Sequence, residues 1–196
     1  MIKPIEWLGD RVRIIDQTRL PHEEVYLELD DYRSVASAIK ELQIRGAPAI
    51  GVAGAYAIAL GALKVESASR GEFLDKLHDI IHTVTATRPT ARNLFQAVER
   101  MQKVAEAGGD TAKVKAALVA EAVKIHAEEA EATDKLSRFG AELIKDGFTV
   151  LTHCNTGPLA TTGYGTALGV IIRAKEQAEK SRYWLPRPVP SSRGQG

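Results

Sequence analysis

Cys154 is the single cysteine of a 196-residue chain and stands in HCNTGPLATTGYGTALGV, beside an Asn-Thr-Gly turn and ahead of a helical pattern. A thiol next to turn amides and near a helix N-terminus meets partial positive charge, which favours a thiolate or a bound anion. Free cysteines are also among the residues most often buried, so a packing role is the alternative. The surrounding turn and helix pattern makes Cys154 a candidate catalytic group.

Two arginines stand immediately before predicted helix starts. Arg45 precedes Gly46, Ala47 and a proline in IRGAPAIG, and Arg88 precedes a proline in TRPTARN. At a helix N-terminus, backbone amides and a guanidinium can converge on one anion, so both patterns fit a phosphate site. Solvated surface arginines are the alternative. Because an arginine precedes a helix start in both segments, we interpret Arg45 and Arg88 as a phosphate clamp, a pair of arginines that hold one phosphate.

Simple periodicities predict the elements that must position these residues. Short β-rich runs between turns in IEWLGDRVRIIDQTRLPHEEVYLELDD predict a small antiparallel meander. Helical spacing recurs from residue 34 onwards, and Thr90 is predicted to cap the helix that follows Pro89. The uncharged segment 47–63 falls short of the ~20 strongly apolar residues that a bilayer requires, so we predict a buried helix there.

The second half of the chain has a different organisation. FTVLTHC resembles a buried strand of a parallel sheet, and the turn after such a strand is where open α/β sheets bind ligands. We therefore predict an α+β, mainly helical N-terminal domain over residues 1–110 and a long connecting helical segment over 111–146. Residues 147–180 are predicted to be the first strand and helix of an α/β Rossmann-like domain.

Composition limits the classes of partner. The chain has 26 basic and 25 acidic residues, and its net charge of +1 gives no bulk reason to bind nucleic acid or a membrane. One cysteine cannot form an internal disulfide, and the N-terminus lacks the pattern of a secretory signal. We therefore expect a cytoplasmic protein, with no metal and no cofactor.

Three segments together, RGAPAIGVAGAYAIAL, TRPTARNLF and THCNTGPLATTGYGTALGVI, resemble the methylthioribose-1-phosphate isomerase family. The resemblance implies an aldose–ketose isomerase of methionine salvage, which converts 5-methylthioribose 1-phosphate into 5-methylthioribulose 1-phosphate. In that family a cysteine and an aspartate carry the acid/base chemistry, and Cys154 matches the cysteine. The substrate phosphate contacts of the family match four residues here: Arg45, Gly46, Ala47 and Arg88. The resemblance further implies a homodimer for the full-length members of the family.

Two other functions stay open within the same superfamily. Its initiation-factor subunits are non-catalytic, so a regulatory protein that senses a sugar phosphate or nucleotide is one alternative. A ribose-bisphosphate isomerase is the other, and it would differ in the pocket around the 5-position. The cysteine in HCNTG, together with GYGTALGV, favours an isomerase over the non-catalytic subunits.

The family pattern leads us to expect further strands that carry an E-T-R-P-x-x-Q-G segment, the catalytic aspartate and an Asn-Lys pair. The chain instead ends in SRYWLPRPVPSSRGQG. One permitted codon choice for residues 186–196, read in a shifted frame, encodes E-T-R-P-L-L-Q-G-A. We therefore expect residues 181–196 to be an out-of-frame, disordered tail and the chain as given to be an inactive fragment.

Overall fold

The computed structural model describes residues 2–177. The predicted out-of-frame tail over 181–196 lies outside these residues. Within them, a three-stranded sheet comes first, and helices make up most of the rest.

The N-terminal sheet is the predicted antiparallel meander. Its strands are β1 (Ile5–Trp7), β2 (Val12–Ile15) and β3 (Tyr26–Leu29), and β2 lies between the other two. Ile5 pairs with Ile14 in the register of β1 and β2. Both side chains are buried because alternate residues of each strand face the helices, which places one apolar side of the sheet in the core. The predicted meander is confirmed.

Six α-helices follow within residues 2–177. The predicted long helical segment is one helix, α5, which continues without a break through Thr133. A single 3-10 turn precedes the last helix. The elements are α1 (Tyr32–Lys40), α2 (Ala47–Lys64), α3 (Arg70–Thr85), α4 (Arg92–Glu106), α5 (Thr111–Ala141), the 3-10 turn Pro158–Ala160, and α6 (Ala167–Gln177).

Helix α2 is the centre of the core. By length and composition it could cross a membrane, but 14 of its 18 residues are buried inside the protein. It packs against α1, α3, α4 and α5, and its many alanine and glycine residues let these helices approach closely. The predicted buried helix over 47–63 is confirmed.

The strand predicted in FTVLTHC is not present in the structure, so this prediction is wrong. Residues 148–153 form no strand, and the side chains of Phe148 and Leu151 are exposed. A strand is held by hydrogen bonds to a neighbouring strand, and the meander is the one sheet that the structure describes. An apolar sequence run alone therefore did not produce a strand at this position. The α+β part of the predicted fold class is confirmed by β1–β3 and the helices packed on them.

Candidate functional site

The phosphate clamp predicted at Arg45 and Arg88 lies at two helix starts that lack a capping side chain. Gly46 is the N-cap of α2 and Ala91 is the N-cap of α4, and neither makes a side-chain hydrogen bond to its helix. The first amides of a helix have no partner inside it, so a side chain, water or ligand must satisfy them. The other three helices among α1 to α5 are capped by the side chains of Asp31, Ser69 and Asp110.

The cap predicted at Thr90 is wrong. Helix α4 begins one residue later than that prediction requires, with Ala91 in an extended conformation as its N-cap. The amide of Ala91 donates to the carbonyl of Arg88 at 3.1 Å, which closes a turn over Pro89 and Thr90. This turn fixes Arg88 directly before the uncapped helix start.

The two uncapped helix starts are in contact. A Cβ atom placed on Gly51, in the second turn of α2, would lie 2.9 Å from the carbonyl oxygen of Asn93 in the first turn of α4. Only a glycine permits this approach. The structure therefore brings the first two turns of α2 next to the first turn of α4, although these helix starts are far apart in sequence.

The side chains of both clamp arginines are available to a ligand. Arg45 is exposed and Arg88 is partly buried. Neither guanidinium forms an ion pair or a side-chain hydrogen bond with another residue in the described range 2–177. Other arginines of the chain do have acidic partners, such as Arg100 with Glu121 at 2.7 Å.

Cys154 lies in an exposed bend with a strained backbone. Its φ angle is +71°, and Leu42, shortly before the Arg45 turn, has a φ of +65°. Among the described residues these are the non-glycine positions with positive φ. Such conformations cost of order 1–3 kcal/mol and concentrate at functional sites. The neighbouring His153 is also exposed.

The bend is tied to the start of α6 through Thr156. The hydroxyl of Thr156 accepts from the amide of Leu168 at 3.1 Å, and its carbonyl accepts from the amide of Thr166 at 2.8 Å. Cys154 therefore lies two residues from a group that caps a helix N-terminus, which agrees with the expected setting of this thiol. The strand that was expected to precede it is not present.

The segment after Cys154 docks on the start of α2. A Cβ atom on Gly46 would lie 2.3 Å from the carbonyl oxygen of Ala160 and 2.4 Å from its Cα. The side-chain amide of Gln17 donates to the carbonyl of Leu159 at 2.8 Å. The structure thus joins the segment that carries Cys154 to the Arg45-Gly46-Ala47 turn.

Sequence reasoning missed a polar pair formed by the buried Tyr56 and the half-buried His126. Tyr56 and His126 lie with the hydroxyl 2.5 Å from Nδ1, and Trp7 stacks on Tyr56 with ring centroids 5.2 Å apart. Burial lowers the pKa of His126, although contact with the backbone of Thr162 opposes this, and burial raises the pKa of the Tyr56 hydroxyl. The pair lines a cavity of about 360 Å³ with Thr162. These two pKa shifts are consistent with a neutral His126 imidazole whose Nδ1 accepts a hydrogen bond from the Tyr56 hydroxyl.

Glu129 is a second polar group near the helix starts that no sequence pattern indicated. Its Oε1 is buried with no hydrogen-bond partner among the described residues, and burial raises the pKa of the carboxyl group. It lines a cavity of about 220 Å³ together with Pro48, Gly51 and Asn93, next to the uncapped starts of α2 and α4. Within residues 2–177 no cluster of three or more His, Cys, Asp or Glu side chains could hold a metal ion.

Curated relatives share this sequence over nearly its whole length. The chain is 60% identical over 193 residues to a methylthioribose-1-phosphate isomerase of Dehalococcoides mccartyi, covering 98% of this chain and 58% of that protein. It is 50% identical over 192 residues to the enzyme of the same name from Geobacter metallireducens, covering 93% and 56%. The chain therefore spans just over half the length of these relatives.

Solved structures share the fold. The 5-methylthioribose 1-phosphate isomerase from Pyrococcus horikoshii aligns with a TM-score of 0.87 at 35% identity, over 94% of this chain and 52% of that one. The translation initiation factor eIF-2B subunit delta from A. fulgidus aligns with a TM-score of 0.82 at 42% identity, over 93% and 54%.

A family model described as the initiation factor 2 subunit family matches residues 43–195. This range begins just before the Arg45 turn and includes α2, α4, α5 and the Cys154 segment. Since it covers most of the sequence, the chain belongs to the initiation factor 2 subunit family.

Proposed function

We propose that the full-length protein converts 5-methylthioribose 1-phosphate into 5-methylthioribulose 1-phosphate. The observation that carries this proposal is the junction of the Arg45-Gly46-Ala47 turn with the segment that carries Cys154, through Gly46 and Ala160. The names of the curated relatives give the substrate. The chain spans just over half of those relatives, so the proposal concerns the protein at their full length.

The phosphate group of the substrate binds at the uncapped helix starts in this proposal. The first amides of α2 and α4 have no capping side chain, and the guanidinium groups of Arg45 and Arg88 have no acidic partner among the described residues. An anion at this place satisfies the amides, the helix dipoles and both arginines together. Gly46 and Ala47 contribute backbone and leave space beside it.

The chemistry then needs acid/base groups close to the sugar. Because the phosphate is on the anomeric oxygen, the ring cannot open by ordinary mutarotation, so the enzyme must protonate the ring oxygen and then move hydrogen between adjacent carbons. Both steps need a positioned proton donor and acceptor in a dry pocket. We assign Cys154 to one of these roles. No cofactor, a homodimeric state and a cytoplasmic location complete the proposal.

A regulatory protein is the second candidate function. It is supported by the 42% identity to the solved structure of an initiation-factor subunit, although the identity to the curated isomerase of Dehalococcoides mccartyi is higher, at 60%. Such a protein would keep the phosphate clamp and bind a sugar phosphate or nucleotide without converting it.

A turnover assay on the full-length protein separates the candidates. We expect conversion of 5-methylthioribose 1-phosphate to the ketose, followed by NMR, and a loss of at least a hundredfold in Cys154→Ser. Ribose 1,5-bisphosphate is assayed in parallel, because faster conversion of this substrate would identify the other isomerase. Binding of the sugar phosphate by calorimetry without conversion of either substrate would establish the regulatory function instead.

A further inference from the structure

Gln17 joins two parts of the candidate site. It follows β2, and only 7% of its surface is exposed. Its backbone amide donates to the carbonyl of Gln43 at 3.1 Å, and its side-chain amide donates to the carbonyl of Leu159 at 2.8 Å. One residue thus contacts both the chain before Arg45 and the chain after Cys154.

Asp16 holds the first of these connections in place. Its Oδ1 accepts from the Thr18 hydroxyl at 2.6 Å and the Thr18 amide at 3.0 Å, and its Oδ2 accepts from the Gln43 side chain at 3.1 Å. Burial favours a higher pKa for this carboxyl, but these hydrogen bonds outweigh it and leave the pKa of Asp16 below its usual value. A charged Asp16 therefore fixes Gln43, two residues before Arg45.

The second connection is a directed hydrogen bond to the segment 150–166. The side-chain amide of Gln17 donates to the carbonyl of Leu159 at 2.8 Å, and elsewhere in this segment the backbone of Thr162 contacts His126. The close packing of Ala160 on Gly46, and of Gly163 on Ala130 and Thr133, carries little directional information. The main cluster of buried apolar residues, moreover, includes no member of 150–166. Gln17 therefore supplies the directed hydrogen bond that fixes the Leu159 end of this segment beside the start of α2.

We propose that Gln17 is a positioning residue that sets Cys154 relative to the phosphate held by the Arg45-Gly46-Ala47 turn. The inference rests on the proposed function for the identity of the reaction. A shift of about 1 Å between a catalytic group and its substrate can cost about a hundredfold in rate, so one lost hydrogen bond at this junction has a kinetic effect larger than its structural one.

The test compares two variants of the full-length protein that each lose a tether to a backbone carbonyl. Gln17→Met keeps the size of the side chain and removes the donor to Leu159. Lys115→Met is the matched control, because Lys115 donates to the carbonyl of Val65 at 2.6 Å, at the far end of α2. We expect Gln17→Met to lower kcat about 10- to 100-fold with KM changed less than threefold, and Lys115→Met to leave both unchanged.

A second readout does not depend on turnover. Inorganic phosphate is expected to slow the alkylation of Cys154 by iodoacetamide in the parent protein, followed by mass spectrometry of the peptide. In Gln17→Met this protection is expected to fall at least fivefold, although calorimetry finds phosphate affinity within twofold of the parent. If Gln17→Met does not fold, Gln17→Asn, which keeps the amide but shortens its reach, replaces it with a smaller expected effect.

The outcomes separate this inference from the proposed function. If the parent isomerises and Gln17→Met matches Lys115→Met in kcat and in phosphate protection, the positioning role is refuted and the isomerase stands. If the parent does not isomerise but Gln17→Met alone loses protection, the positioning role stands and the isomerase is refuted.

Discussion

Gly46 and Ala160 approach so closely that a Cβ atom on Gly46 would stand 2.3 Å from the Ala160 carbonyl oxygen. Gly46 is also the N-cap of α2 and has a φ angle of +93°, a conformation that residues with a side chain rarely adopt. One glycine therefore lets the helix start uncapped and lets the Cys154 segment dock upon it. A methyl group added to Gly46 would therefore strain the backbone at this φ angle and would also clash with Ala160.

Substitution of Gly46 by alanine is expected to lower the free energy of unfolding by about 2–6 kcal/mol. Backbone strain at positive φ contributes about 1–3 kcal/mol, and the clash with Ala160 adds a similar amount. Gly9→Ala is the control, because Gly9 has a φ of +98° but an added Cβ would meet nothing within 4 Å. Urea denaturation of both variants measures the difference. Equal destabilisation by the two substitutions would show that Ala160 does not press on Gly46.

Removal of either clamp arginine is expected to weaken phosphate binding. In the full-length protein, Arg45→Ala and Arg88→Ala should each reduce the affinity for the sugar phosphate by about 1.5–3 kcal/mol, the scale of a charge-assisted hydrogen bond. Neither guanidinium has an acidic partner among the described residues, so unfolding midpoints should change little. Isothermal calorimetry measures the affinities.

Arg70→Ala is the control for the clamp variants. Arg70 donates to the carbonyls of Ala105 and Glu106 at the C-terminal end of α4, about 20 Å from the helix start by the rise of an α-helix. We expect Arg70→Ala to bind the sugar phosphate with the same affinity as the parent protein. A loss in Arg70→Ala as large as that in Arg45→Ala would indicate a nonspecific charge effect and contradict the clamp.

The half-buried imidazole of His126 is expected to make the free energy of unfolding depend on pH. Because burial lowers the pKa of His126, the unfolded chain binds a proton at a higher pH than the folded chain does. The contribution of neutral His126 to the free energy of unfolding is complete above about pH 6.5, the ordinary pKa of histidine. It is lost as the pH falls from there through the pKa of His126 in the folded protein. His126→Asn should flatten the stability curve between pH 7 and pH 5, measured by denaturation at each pH.

An exposed histidine provides the comparison for this pH effect. His78 is on α3, and its side chain is exposed. We expect His78→Asn to keep the same loss of stability on acidification as the parent. A curve for His126→Asn that remains as steep as the parent curve would assign the pH dependence to other groups.

Among the described residues, the end of α5 and the turn that follows it present an exposed apolar face. Leu136, Phe139 and Leu143 are 46%, 68% and 75% exposed, and the first two lie on one side of the helix at a spacing of three residues. Exposed apolar faces of this kind drive association. We expect the 196-residue chain to self-associate at micromolar concentration, and the double variant Phe139→Glu, Leu143→Lys to shift it towards monomer in sedimentation velocity.

A substitution elsewhere tests whether this face is specific. Leu63, near the end of α2, is 38% exposed and lies apart from α5 in sequence. Leu63→Lys should leave the degree of association unchanged. If it disperses the chain as well as the double variant does, general surface hydrophobicity rather than the α5 face is responsible.

Local sequence patterns determined most of the elements. The meander and the helices were predictable because alternation and helical spacing are properties of neighbouring residues, and burial of one apolar side follows from them. Arg45 and Arg88 could be placed at helix starts because each is followed by a turn and a proline. Whether FTVLTHC forms a strand could not be predicted in this way, because a strand also needs a neighbouring strand, and no local pattern supplies one.

The assembly of the site was decided only by the tertiary structure. Gln17 and Leu159 are separated by 142 residues, and Gly46 meets Ala160 across a similar distance along the chain. Nothing in the residues near Gln17 indicates that its amide reaches a carbonyl in the Cys154 segment. Sequence fixes which residues can donate, accept or leave space, but which of them meet depends on how the helices pack around α2.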